Sequence, residues 1–181
     1  MLRLTGAFLR VKVIEVRFET EDDYEAVRRV NELAFGRANE AELVDALRPC
    51  AGPQISLVAV IDSLVVGHIF FSPVSVESGD GSFTALGLAP MAVLPEYQRR
   101  GIGSGLIREG LKACRNLGQD LVFVVGHPEY YPRFGFKPAS QLGYCCEYQV
   151  PDEVFMVLEL NPGAVNRRRG MVRYLPQFGG V

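Results

Sequence analysis

The sequence predicts a mixed α/β fold, with a mostly antiparallel sheet that carries one parallel strand–helix–strand unit. Three observations predict it. Residues 56–61, 64–74 and 83–94 are apolar, β-rich runs separated by the turn signals Asp62-Ser63 and Ser78-Gly79-Asp80-Gly81-Ser82, which reads as an antiparallel meander. Residues 86–125 read as strand, glycine-rich loop, helix and strand, so the two strands should be parallel with a right-handed crossover. The chain has 181 residues and is 48% hydrophobic, enough for one domain with its own core.

The elements follow in order. Residues 1–10 read as a ragged leader, because Arg3 and Arg10 break an apolar run too short for a signal-peptide core. Residues 11–18 alternate and are β-branched, as in a strand. Thr20 and Asp23 form a capping pair for a helix over 21–35, with Val27, Val30, Leu33 and Ala34 inward and Gly36 as its stop. A second helix, 40–47, ends before Pro49. Pro90 lies inside the third strand of the meander. Proline donates nothing to a ladder, so a bulge or splay is expected there.

The helix of the parallel unit should span 101–117, with Ile102, Leu106, Ala113 and Leu117 on its inner face and Gly118 after it. Residues 121–125 are continuously apolar, as expected of a strand buried on both faces. A short helix can start at Pro128, and Pro132 and Gly135 keep it short. Residues 136–142 are semi-extended and 154–160 form a last strand. Residues 161–181 read as a tail around a core of about 11–160, and Arg167, Arg168 and Arg169 in it read as a solvated run. No repeat or linker divides the chain, so 1–181 reads as a single domain.

Composition narrows the function. The formal net charge is −2, without the basic excess of a general nucleic-acid binder. Four cysteines without CxxC spacing and two histidines do not suggest a metal site. Reduced thiols fit a cytoplasmic protein, and no run reaches the ~18 apolar residues of a membrane span.

The chemistry is concentrated at 86–117. An apolar strand feeds Gln98-Arg99-Arg100-Gly101-Ile102-Gly103-Ser104, which opens directly into a helix. Backbone N–H groups and a helix N-terminus there suit a phosphate. A Walker A loop needs Lys-Ser/Thr after its last glycine, and a dinucleotide fingerprint needs a third glycine at position 106. Leu106 fails both. The pattern Gln98-x-x-Gly101-x-Gly103 resembles the acetyl-CoA signature of GNAT-superfamily N-acetyltransferases. Tyr131-Pro132-Arg133-Phe134-Gly135-Phe136 resembles that family's later Tyr-x-x-x-Gly-Phe element, in the right order and separation, and the likeness is greatest to the YhbS-type branch.

The resemblance implies the acyl-CoA N-acyltransferase fold, with the parallel unit splayed at the CoA site. It implies an acetyl-CoA-dependent N-acetyltransferase in which an amine attacks the thioester directly in a ternary complex. Acetyl-CoA is then a co-substrate, and no prosthetic group or metal is needed. The backbone of Met91, Ala92 and Val93 would pair with the pantetheine arm. Gln98, Arg99, Arg100, Gly101, Ile102, Gly103 and Ser104 would form the pyrophosphate loop, with Gly101 and Gly103 allowing close approach. Tyr131 would stand beside the sulfur as an acid or hydrogen-bond donor to the thiolate.

A base is harder to read. An alkyl amine of pKa ~10.4 is neutral in about one molecule in ~2500 at pH 7, so a proton must be removed. Residues 86–94 hold no glutamate. His127 is the tentative base, ahead of Glu129. His68 reads as a structural strand histidine, and Glu40 and Glu42 as a solvated helix start in the region that shapes the acceptor pocket in this family. The expected partners are acetyl-CoA and an amine-bearing small molecule, peptide or protein, with no nucleic acid or membrane. Apolar edge strands also suggest a homodimer. The rival readings are a different acyltransferase and a non-catalytic acyl-CoA sensor.

Overall fold

The computed structural model describes residues 13–79, 81–165 and 169–180. The leader, the first two residues of the expected first strand, Asp80, Arg167 and Arg168 lie outside the described residues. The strands are β1 (Glu15–Phe18), β2 (Ile55–Ile61), β3 (Leu64–Ser78), β4 (Gly81–Val93), β5 (Leu121–Val125), β6 (Lys137–Pro138), β7 (Tyr144–Cys146), β8 (Phe155–Glu159) and β9 (Gly170–Arg173). The helices are α1 (Tyr24–Phe35), α2 (Asn39–Leu47) and α3 (Ile102–Asn116). They build one mixed sheet in the order β1-β2-β3-β4-β5-β8-β6, with β9 on β3 and β7 beside β9. None of the described helices is long and apolar enough to cross a membrane.

Local chemistry explains the entry into α1. Asp23 accepts from the Thr20 N–H at 2.8 Å and from both Arg17 guanidinium nitrogens at 2.6 and 2.8 Å. The Arg17 hydrogen bonds hold the Asp23 carboxyl well below the usual carboxylate range. The β2–β3 hairpin turns at Asp62 and Ser63, both at positive φ (49° and 66°), the two-residue geometry that matches strand twist.

The meander forms as expected, and so does the irregularity at Pro90. Ile69 pairs with Met91 and Phe71 with Leu88, so Ala89 and Pro90 together face Phe70. The parallel unit is paired only at its base, Leu86 with Val122 and Gly87 with Phe123. β5 then follows β8 through five residues, while β4 continues to Val93 paired with β3 alone.

Alternate residues of β3 face opposite layers. Gly67 and Phe71 pack on α3, where a Cβ on Gly67 would come within 3.0 Å of Leu106 and one on Gly110 within 2.5 Å of Phe71. His68 faces the other way, toward α1. Two expected inner-face residues lie outside: Leu33 and Leu117 are both 48% exposed. Asn31 takes an inward place on α1, and Leu111 and Cys114 complete the face of α3.

The segment read as a tail also builds structure. β3 outlasts β2, and β9 pairs with its free edge at Ser75, Val76 and Glu77. Tyr174 then lies over Gly87, where a Cβ would stand 3.0 Å from its ring. Gly87 pairs with Ser72, so this is the α1 face of the sheet. The 3-10 turn Pro176–Gly180 packs against α2.

His68 is the strand histidine expected from sequence. It is fully buried, with Asn31 Nδ2 donating to its Nδ1 at 3.2 Å and its Nε2–H reaching Ser56 Oγ at 3.0 Å. Burial, with help from the Arg48 charge, pushes its pKa down to about 3. An unfolded histidine titrates near ~6.5. The stability this neutral ring supports is therefore complete above that value and falls as pH drops toward 3. Urea unfolding between pH 6 and 4 should show a loss approaching ~1.4 kcal/mol per pH unit from this group. His68→Asn should flatten the slope by close to one proton; an unchanged slope would remove His68 from the acid response.

Candidate active site

The site begins at the N-terminus of α3. Arg99 and Gly101 both take positive φ (60° and 83°), turning the chain sharply after β4. The first intrahelical bond runs from the Gly105 N–H to the Gly101 carbonyl at 2.9 Å, leaving the amides of Ile102, Gly103 and Ser104 without a helical partner. No side chain caps this end, and its first turn holds no acidic residue. The result is a cluster of free donors at the positive end of a 15-residue helix. Gln98 braces the loop by donating to the Val93 carbonyl at 3.0 Å.

The second wall comes from the turn after β5. The His127 carbonyl accepts the N–H groups of Tyr130 at 3.0 Å and Tyr131 at 3.4 Å, fixing both tyrosines. Tyr131 is buried against Gly126, where any Cβ would stand 2.2 Å from its ring. Burial raises its hydroxyl pKa above the usual tyrosine value. Tyr130 is half-buried and turns its hydroxyl toward α3, 2.9 Å from where a Cβ on Gly103 would sit. Met91 closes the same corner, its Cε 3.6 Å from that point.

Between these walls lies a cavity of about 950 Å³. It opens where β4 and β5 part beyond Gly87, and it runs from the α3 N-terminus to Glu40, Leu43 and Phe178. Met91, Ala92 and Val93 of β4, Gln98 and Arg99 of the loop, and residues 101–104 all line it, as do His127 and Tyr131. Arg100 does not; its guanidinium lies 5.4 Å above the Tyr97 ring. Glu129 and Glu42 are exposed and also stand apart from it. Glu40, read from sequence as part of a solvated helix start, is only 5% exposed and faces the cavity.

Sequence reasoning missed several contributors, Phe35, Leu43 and Phe178 among them. Phe178 comes from the segment taken for a tail and gave no signal beyond being aromatic. Gly126 could be read only as a turn residue, although its missing side chain is what admits the Tyr131 ring.

Comparison with known proteins gives a consistent picture. Residues 15–139 match the acetyltransferase (GNAT) domain family. The uncharacterized N-acetyltransferase YjhQ of Escherichia coli is 42% identical over 136 residues, 74% of this chain and 75% of the relative. The uncharacterized N-acetyltransferase YhbS of the same organism is 32% identical over 90% of this chain and 97% of its own length. The crystal structure of E. coli YhbS in complex with CoA superimposes with a TM-score of 0.87 at 31% identity, covering 92% of each chain. A GNAT family acetyltransferase from Brucella melitensis in complex with acetyl-CoA gives 0.76 at 36% identity, over 92% of this chain and 99% of its own.

Proposed function

The chain belongs to the GNAT acetyltransferase family, and from that premise we propose that it moves an acetyl group from acetyl-CoA to an amine by direct attack in a ternary complex. One observation supports this reading most. One cavity of about 950 Å³ runs from the uncapped α3 N-terminus to Glu40, which leaves room for an acceptor beside the donor. The relatives solved with CoA and acetyl-CoA support the choice of donor.

In this reading the amides of 101–104 hold the pyrophosphate, with Arg99 adding charge. The edge of β4 that β5 leaves free at Met91, Ala92 and Val93 faces the pantetheine arm, and the acyl end enters the gap beyond Gly87. The neutral amine attacks the carbonyl carbon and a C–N bond forms. The C–S bond breaks with its electron pair on sulfur. The thiolate ends as a thiol, and the nitrogen gives up one proton. A backbone N–H near Val93 polarises the carbonyl oxygen. Tyr131 donates a hydrogen bond to the departing sulfur, and His127, facing the cavity, receives the amine proton.

Initial-velocity kinetics of CoA release against a panel of amines tests the scheme. Intersecting lines are expected. Parallel lines would mean a covalent acetyl-enzyme, and acetyl-CoA binding with no release against any amine would favour a sensor. His127→Ala should abolish the acidic limb of the kcat/KM profile; an unaltered limb would pass the base role to water or another residue.

A homodimer belongs to the same reading. β1 forms an edge of the sheet with Phe18 61% exposed, and sedimentation equilibrium distinguishes dimer from monomer.

A further inference from the structure

The far compartment of the cavity has a chemical character of its own. Glu40 is the one acidic side chain among the described residues that line the cavity. It sits in the first turn of α2 with its side chain 6% exposed. Its neighbours in that lining are apolar: Ala34 and Phe35 from the end of α1, Leu43 one turn along α2, and Phe178 from the C-terminal segment. Phe178 is held there by Tyr174, ring centroids 5.2 Å apart, and by the packing of its turn on α2. Arg37 pairs with both Glu40 oxygens, with Nε at 3.1 Å from each. Arg37 is itself more than half exposed and does not line the cavity. It grips the carboxylate from the solvent side. Arg37 makes three hydrogen bonds, Nε to each oxygen and Nη2 to Oε1, so of a carboxylate's about four lone-pair sites about one stays open.

A solvated helix start would explain a carboxylate near the α2 N-terminus. It does not explain one that is nearly buried and lines a cavity together with Ala34, Phe35, Leu43 and Phe178. Burying such a charge is costly unless it has cationic partners; Arg37 is one, and the open acceptor site has room for a second. The reacting nitrogen is a poor partner, because it must lose its charge before it attacks. A fixed carboxylate beside it would hold it as the ammonium and oppose the reaction. A second, non-reacting cation has no such conflict.

Resting on the acetyl-transfer reading above, we propose that the acceptor is a dicationic amine: one nitrogen is acetylated, and a second cationic group docks on Glu40 across an apolar spacer. Phe35, Leu43 and Phe178 cover the spacer and exclude water, which strengthens the Glu40 contact. An acceptor with a carboxylate at the far end would meet Glu40 as a like charge.

The test compares 1,5-diaminopentane, pentylamine and 5-aminopentanoate, matched in length and differing at the remote end. With acetyl-CoA and the full chain, kcat/KM should be at least tenfold higher for the diamine than for pentylamine, with 5-aminopentanoate lowest. Glu40→Gln should lower the diamine value at least tenfold more than the pentylamine value, mainly through KM. R37A/E40A, which strands no unpaired guanidinium, should erase the same discrimination, so a folding failure in Glu40→Gln alone does not decide the matter. Equal use of diamine and monoamine, or equal losses on both, would overturn the proposal. Titration of 1,5-diaminopentane into CoA-loaded protein separates it from the transfer reading. Diamine binding lost in Glu40→Gln, with no CoA release from any amine, would sink only the transfer reading. CoA release from pentylamine with no diamine preference would sink only the dicationic acceptor.

Discussion

Gly103→Val is expected to weaken acetyl-CoA binding about a hundredfold, roughly 2.7 kcal/mol, while the protein stays folded. Gly103 occupies the second position of α3, between Ile102 and Ser104, whose amides have no helical partner. A Cβ there would sit 2.9 Å from the Tyr130 hydroxyl and 3.6 Å from Met91 Cε. The hydroxyl lies at the far end of a side chain and can give way; the backbone amides around it cannot. The two γ-carbons of valine would project into the space a phosphate must enter to reach those amides. Calorimetric titration of acetyl-CoA reads the loss, and a thermal melt within a few degrees of wild type confirms that the helix still forms. Gly103→Ala should lose less, since its single carbon asks only for a small retreat of Tyr130. Full affinity in the valine variant would remove this cradle from CoA binding.

The uncapped start of α3 was legible because its chemistry is local. Gly101 and Gly103 stand two positions apart in sequence, and α3 starts between them at Ile102. The break in β4 was legible for the same reason, because Pro90 cannot take a regular ladder position whatever surrounds it. The acceptor side was not. Phe178 reaches the Glu40 end of the cavity only because β9 pairs with the free edge of β3 and carries the C-terminal turn back to α2. That β9 pairing joins residues almost a hundred positions apart, Glu77 with Met171. No periodicity in a four-residue strand announces it. The exposure of Leu33 and Leu117 has a local cause. Leu33 points off the face that Val27, Val30 and Asn31 bury, and Leu117 is the C-cap residue just past the end of α3.

Tyr131→Phe is expected to lower kcat about a hundredfold, with KM for acetyl-CoA changed no more than about threefold. A hydrogen bond that strengthens as charge develops on sulfur contributes to the transition state more than to binding. Tyr131 suits that role better than the role of a full acid. An unperturbed tyrosine is already about 1.5 pKa units weaker as an acid than a thiol, and burial raises the Tyr131 hydroxyl further. In that proposed role it keeps its proton across the working range and would donate without transferring it. The basic limb of the rate profile should accordingly be the same in the phenylalanine variant. Tyr130 supplies the control. Its hydroxyl approaches Gly103 at the α3 N-terminus, so Tyr130→Phe should be read mainly in acetyl-CoA affinity. A large kcat loss in Tyr130→Phe with near-normal turnover in Tyr131→Phe would exchange their roles. The motif spacing would then have identified the buried ring that supports the site, and its half-buried neighbour would face the sulfur.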